Sequence, residues 1–475
     1  MPDADDPSSE SSRSGPLAVL QSYFGLDEHG TDLRTELIAG VTIFLTMSYV
    51  VVVIPSLLAP AVDLPGYSDT QIVQMLTVIT IIVTVIGTAL MGIHANRPFA
   101  QAPGLGLVAF FSFTVVLTLG VPWETAFAAV FVEGLIFTGL SYFGARKYIV
   151  KVFPEPVKLA VGTGIGLFLG IIGLQNMGVV VGDQSTLVTL GPIASDPVAL
   201  IAVIGLLITF GLQAAGVRGS IVVGIIATTV IGYGVTLLGL VPADAGLTVS
   251  VPDPYYNVAP IVGSALDGFA DMEVFTFALI VFTFFFVDFF DTAGTITGVG
   301  QMAGFLDEDG NLPKMEEPLM ANAIATTIGG FLGTSTVSTY IDSATGVEEG
   351  GRTGLTALFT AGLFLITLAF VPLAASIPQY ASNIALVVVA ILMLGNVTDI
   401  DWNDITHSIP AGMTIIIMPL TYSIAYGLAA GIITFPIVKS LRDGPRSVRP
   451  GQWILAGAFI VYFYVRTSGL LTGQL

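Results

Sequence analysis

Four acidic residues, Glu133, Asp288, Asp291 and Asp342, stand inside long apolar runs of a 475-residue chain. A carboxylate at the centre of a bilayer costs about 2.5–3.5 kcal/mol on insertion scales, so each is expected to face a cavity, a partner or a substrate. Asp288 and Asp291 lie in Phe284-Phe285-Phe286-Val287-Asp288-Phe289-Phe290-Asp291-Thr292, and a spacing of three places both on one face of a helix. Counted from residue 273, Asp288 is about 22 Å along at 1.5 Å per residue, near the membrane midplane. Two neighbouring carboxylates in a low dielectric do not readily both carry charge, so the pair suits the uptake and release of a proton. Asp342 follows an extended segment, where a helix N-terminus offers free N–H groups; a plain N-cap is the alternative. Glu133, beside Gly134, has no evident partner in the sequence, and helix packing accounts for it as well as transport does.

Two broken segments supply the rest of the candidate site. The first reads Phe99-Ala100-Gln101-Ala102-Pro103-Gly104-Leu105-Gly106-Leu107; Pro103 removes a backbone donor and the glycines weaken a helix. The second reads Gly333-Thr334-Ser335-Thr336-Val337-Ser338-Thr339-Tyr340-Ile341-Asp342. Its β-branched, hydroxyl-rich run favours an extended strand, with a helix expected from about Asp342. Free N–H groups at two half-helices suit carbonyl or ring-nitrogen acceptors, whereas carboxylates suit N–H donors. A neutral, flat molecule with both kinds of edge fits. A simple anion such as sulfate does not, because no Lys or Arg is expected in the site. Phe110, Phe111, Phe284, Phe285, Phe286 and Tyr340 are candidates to stack on a planar ring.

The elements that must position these residues are membrane helices. Only 10% of the chain is charged and 54% is hydrophobic, whereas a soluble globular chain carries about 25% charged residues. An ordinary soluble protein, a disordered chain and a nucleic-acid binder are thereby excluded. With no Cys, disulfide scaffolds, zinc fingers, iron–sulfur clusters and Cys nucleophiles are excluded as well. His29, His94 and His407 are widely scattered, and no nucleophile–base set is visible, so neither a metal, a cofactor nor a catalytic residue is expected.

A helical span needs about 20 mostly apolar residues. Clear candidates lie near 35–59, 71–93, 122–143, 157–174, 198–215, 219–240, 273–304, 317–333 and 354–374. Shorter or interrupted ones lie near 98–119, 335–349, 382–397, 410–422, 423–440 and 453–471. The expected fold is an all-α polytopic membrane protein with 14 segments ending near residue 440. They divide into seven plus seven, which forces the halves into opposite orientations. The third segment of each half is the broken one, and paired interrupted segments point to a transporter's central site. Residues 1–21 read as a disordered acidic tail, residues 22–440 as the transporter, and 441–475 as a basic loop followed by an apolar segment. That last segment is either a fifteenth span or an interfacial helix.

Orientation follows from the basic residues. With the N-terminus inside, Arg34, Arg97, Arg146, Lys147, Lys151, Arg218, Lys314 and Arg352 fall on the cytoplasmic side, and the loops near 60–70, 175–197, 241–272 and 375–382 hold no Lys or Arg. The net charge of −19 resides mainly in solvated stretches, with eight acids in 1–36, five in 244–273 and five in 307–317.

The strings ANRPFAQAPGLGLVAFF, VDFFDTAGTITGV, GTSTVSTYIDSATGVEEGGRTGLTAL and TIIIMPLTYSIAYGLAAG resemble the nucleobase–cation symporters of the xanthine/uracil permease superfamily. Within it they are similar to the adenine/guanine/hypoxanthine (AzgA-like) permeases, in the same order over about 22–440. The resemblance implies an inverted repeat with a core domain (35–143 and 273–374) and a gate domain (157–240 and 382–440). It also implies that the third and tenth segments are each a short strand plus half-helix. By the same resemblance, Asp288 and Asp291 take the acidic positions of segment eight, Asp342 that of segment ten, and Pro103/Gly104 the matching place on segment three. Two departures stand out. Asp342 replaces the usual Glu, and Val108 and Phe110 replace two polar residues of the usual Gly-Leu-Asn-Ala-Tyr.

The expected activity is secondary active import of purine nucleobases (hypoxanthine, guanine or adenine) by proton symport, with sodium as the alternative coupling ion. Asp291 and Asp342 are expected to hold the N–H edge of the base. Backbone at Pro103, Gly104 and Leu105, and at Tyr340 and Ile341, is expected to meet the other edge. Asp288 and Asp291 are expected to serve proton coupling. The expected setting is the cell membrane, with the bilayer and purine as partners, and a homodimer is compatible with it. The competing readings are a cation/proton antiporter and an anion transporter of similar fold.

Overall fold

The computed structural model describes residues 16–144, 152–270, 272–308 and 312–467. Arg146, Lys147 and Lys151, most of the acidic tail and the end of the last apolar segment lie outside the described residues. The end of the expected tail is not irregular. A helix, α1 (Pro16–Phe24), begins there, and Phe24 and Leu26 pack with Leu355.

The first half runs through α2 (Leu33–Met47), α3 (Val50–Leu58), α4 (Asp69–Ala95), strand β1 (Gln101–Pro103), α5 (Leu105–Ala109) and α6 (Trp123–Tyr142). From Phe110 to Thr118 the chain winds as a π-helix. Next come α7 (Glu155–Asn176), a hairpin of β2 (Val180–Asp183) and β3 (Leu187–Leu190), α8 (Pro197–Ala214) and α9 (Ser220–Leu237). The second half holds α10 (Ser264–Asp267), α11 (Val274–Met302), α12 (Glu316–Leu332), strand β4 (Val337–Thr339), α13 (Ser343–Glu348) and α14 (Gly354–Ile366). It ends with α15 (Val371–Ala374), α16 (Gln379–Ser382), α17 (Ile384–Met393), α18 (Ile405–Leu420), α19 (Ile424–Asp443) and α20 (Pro450–Thr467).

Among the described residues ten helices are long and apolar enough to cross a membrane. The remaining expected spans are shorter for physical reasons. Pro103 and the 334–341 run replace helix with strand, and α12 carries polar Asn322 and Thr326 on its buried face. The 175–197 loop, read as plain connection, folds as the β2–β3 hairpin, closed by Asp183 accepting from Ser185 N (2.8 Å) and Thr186 N (2.9 Å).

Helices pack in two groups. In one, α2 and α4 lie on α14, and α4 and α6 lie on α12, with α11 against α6. In the other, α7 lies on α17 and α18, α18 on α19, and α8 on α9. Between the halves β1 and β4 pair antiparallel, with Gln101 opposite Thr339 and Pro103 opposite Val337.

The α6–α12 crossing is close enough for backbone to meet backbone. A Cβ on Gly330 would stand 2.5 Å from Phe131 N, and one on Gly134 2.5 Å from Thr327 N. Neither neighbour is a side chain that can swing away, so small residues are what permit this approach. Gly330→Ala is therefore expected to lower the thermal midpoint of the purified protein, at a cost of about 1–3 kcal/mol. An unchanged melting curve would contradict the crossing.

Candidate functional site

Where the paired strands end, the two helix groups enclose a cavity of about 610 Å³. One wall comes from Tyr49, Gly104, Leu105, Asp291, Tyr340 and Asp342, the opposite wall from Lys158, Ile165, Met393 and Asn396.

The strands are fixed before anything binds. Gly104 N–H donates to Thr336 O (2.9 Å) and Tyr340 N–H to Ala100 O (3.0 Å), extending the ladder beyond its three register pairs. Thr88 on α4 donates to Gln101 O and accepts from Gln101 N, both at 3.0 Å. Thr326 on α12 does the same for Val337, at 3.2 and 3.1 Å. Tyr340 Oη donates to Pro103 O at 2.6 Å, which staples the two broken segments together. A Cβ on Gly104 would come within 2.7 Å of Ser338 Oγ, so a larger residue there would displace the hydroxyl that interacts with Asp291.

Asp291, Asp342, Gly104, Leu105, Tyr340 and Ile341 all line the cavity. Asp291 interacts with the Ser338 hydroxyl, and Asp342 with the Tyr49 hydroxyl. Asp342 stands at the N-cap position of α13, yet its side chain makes no capping bond, so the plain N-cap alternative does not describe it. Ile341 is 53% exposed, toward the cavity it lines.

Two expected members do not reach the cavity. Pro103 is not among its lining residues, and its carbonyl is occupied by Tyr340. Asp288 is fully buried behind the wall, between α11 and α12. It accepts from Thr292 Oγ1 (2.9 Å) and from Asn322 Nδ2 (3.1 and 3.2 Å), with Thr326 Oγ1 at 3.5 Å. A spacing of three leaves two side chains some 60° apart around a helix, enough to put Asp291 in the cavity and Asp288 in the packing.

The aromatic expectation changes too. Phe110 and Phe284 pack edge to face at 5.1 Å, Phe111 stacks on Phe127 at 4.5 Å, and Tyr340 is only 5% exposed. The rings that line the cavity are Tyr49, Phe290 and Tyr340. The expectation of a site without basic residues also fails, because Lys158 lines it, with Nζ 5.5 Å from the Phe290 ring centre. Lys158 stands in a Pro-Val-Lys-Leu-Ala run in the first turn of α7. Only the wide opening between helix groups brings it into the cavity. Asn396 and Asp399, on the turns after α17, carried no sequence signal beyond their polarity.

The chain matches the Permease family model, Xan_ur_permease, over residues 34–430. It is 39% identical to the guanine/hypoxanthine permease PbuG of Bacillus subtilis, covering 94% of this chain and 99% of the relative. It is 38% identical to the adenine permease AdeP of Escherichia coli, over 93% of this chain and 95% of that one. Among solved structures, the transmembrane domain of the cyanobacterial bicarbonate transporter BicA superposes with a TM-score of 0.58 at 18% identity, over 84% of this chain and 97% of that one. That similarity speaks to the fold alone.

Proposed function

The chain belongs to the Permease family as a multi-pass membrane transporter rather than an enzyme, and we propose that it imports purine nucleobases by proton symport. What carries the reading is the pairing of Asp291 and Asp342 on one wall of the cavity, beside backbone held by the β1–β4 pair. A purine presents N–H donors along one edge and ring nitrogen or carbonyl acceptors along another. The two carboxylates would hold the donors. The Gly104 and Tyr340 N–H groups are committed to the ladder and the Leu105 N–H interacts with the Tyr340 hydroxyl, so the backbone at Ile341 is left to meet the acceptors. The names of PbuG and AdeP support a purine. Lys158 supplies one cation to the cavity, but Asp291, Asp342 and Asp399 outnumber it there, which weighs against a simple anion.

The ten long helices, the two broken segments, α12 and α18 make fourteen crossings in two inverted halves of seven, with the N-terminus cytoplasmic. The helix group containing α2, α4, α6, α11, α12 and α14 would act as core, and the group of α7–α9 and α16–α19 as gate. Rocking of one against the other would expose the cavity to each side in turn.

Uptake of radiolabelled hypoxanthine and adenine, in cells lacking their own purine carriers, tests this. Saturable uptake competed by other purines and raised by external acid is expected. Sodium-driven proton flux or bicarbonate transport, with no purine uptake, would overturn it.

A further inference from the structure

The carboxyl group of Glu133, in the middle of α6, is fully buried, and neither of its oxygens has a hydrogen-bond partner. A buried charge without a partner is among the costliest features a protein can carry. It interacts electrostatically with Asp288 across the α6–α11 contact. Asp288 is held by three side chains, yet all three are neutral. Among the described residues no salt bridge offsets either carboxyl. Two buried carboxyls that feel each other's charge cannot both be charged without a large penalty, and one proton shared between them removes it.

We infer that Glu133 and Asp288 together form a binding site for one proton, set behind the cavity wall and separate from the purine site. The inference rests on the symport reading above. Loading the site forms one O–H bond, the proton coming from the aqueous side, and takes the pair from two negative charges to one. Release breaks the same bond and returns the proton to water.

A route for mutual influence between pair and cavity is visible. Asn322 donates to Asp288 at 3.1 Å and accepts from Gln101 Nε2 at 3.2 Å. Gln101 Nε2 also stands 3.4 Å from Thr339 Oγ1, and Thr339 lines the cavity. A change of charge on Asp288 therefore acts on the strand pair that shapes the purine site. Asp291, one turn along α11, faces the cavity and is the next ionisable group. From α12 the residues facing the pair are Asn322, Thr326 and Thr327, none titratable; Glu316 and Glu317 stand at its far end. The π-helical 110–118 segment contributes no ionisable residue, and Asp267 of α10 is exposed at the end of α6.

The test uses the whole protein in proteoliposomes, with radiolabelled hypoxanthine, and in detergent with a pH-indicating dye. In Glu133→Gln, the several-fold stimulation of uptake by an inward proton gradient is expected to vanish. Proton uptake on purine binding should vanish with it, while equilibrium purine affinity stays within about twofold. Glu133→Asp keeps a titratable group one methylene shorter and should retain stimulation with a displaced pH profile. A Glu133→Gln protein with the wild-type pH profile and stimulation would overturn the inference. So would folded variants that lose purine binding itself. Should the wild type bind no purine, the symport reading fails, and the pair is still tested by infrared spectroscopy. A pH-titratable carboxylic C=O band removed or displaced by Glu133→Gln supports the site, and a band indifferent to that change refutes it.

Discussion

Asp291→Asn and Asp342→Asn are each expected to cut purine uptake by at least about a hundredfold while leaving the protein in the membrane. Both residues line the cavity, and each interacts there with one hydroxyl, of Ser338 and of Tyr49 respectively. The interactions of Ser338 with Asp291 and of Tyr49 with Asp342 can be kept by an amide oxygen. What an amide cannot replace is the charge that receives N–H donors from a ligand. A hydrogen bond to a charged group is worth about 1.5–3 kcal/mol, and each 1.4 kcal/mol is tenfold in binding. A carboxylate receiving two such donors therefore accounts for a hundredfold or more. Uptake by variants matched for abundance in the membrane, with binding measured on purified protein, gives the comparison. Asp342→Glu keeps the carboxylate one methylene further out and should retain transport with an altered order of purine preference. Full uptake in both Asn variants would remove Asp291 and Asp342 from the site.

Much of this site was legible because its signals are local. Pro103-Gly104 and the Thr/Ser run at 334–339 break helices by their own chemistry, and the β1 and β4 strands lie where those breaks fall. Intramembrane acids are rare, so Asp291 and Asp342 attract attention by composition alone. Which way a side chain turns is not local. Asp288 and Asp291 share a helix face by spacing, yet α12 offers Asn322 and Thr326 to one and the cavity receives the other. Phe284 and Phe290 are alike in sequence, and only the packing of Phe110 on the first separates them. Lys158 and Tyr49 enter the cavity from elements far apart in the chain. No periodicity carries that information. The acid balance shows the same limit: Glu36 belongs to a stretch of eight acids that reads as solvated, yet it is 0% exposed.

Glu36→Ala should be the most damaging single change for stability, at about 3–5 kcal/mol. Glu36 sits on the first turn of α2 and reaches the start of α14, where backbone N–H groups lack helical partners. Its carboxylate accepts from Arg352 N (2.9 Å), Thr353 N (3.4 Å) and Thr356 N (3.0 Å), and from the hydroxyls of Thr353 (2.9 Å) and Thr356 (2.6 Å). Asn96 completes the turn by accepting from Gly354 N at 2.8 Å. Five donors converge on one carboxylate, which explains how a buried acid is tolerated without a basic partner. Removing it strands several of them, at about 1–3 kcal/mol each. Glu36→Gln is a partial remedy: its amide oxygen can accept from Thr353 and Thr356, but its N–H groups would then point at the Arg352 N–H. The turn it holds, residues 349–353, joins α13, which follows Asp342, to α14, so the damage should appear as lost folded protein rather than weakened binding. Against a total stability of about 5–15 kcal/mol, a sharp fall in monodisperse yield and in thermal midpoint is expected. A Glu36→Ala protein melting within about 2 °C of wild type would show that the α14 start is secured by something other than this carboxylate.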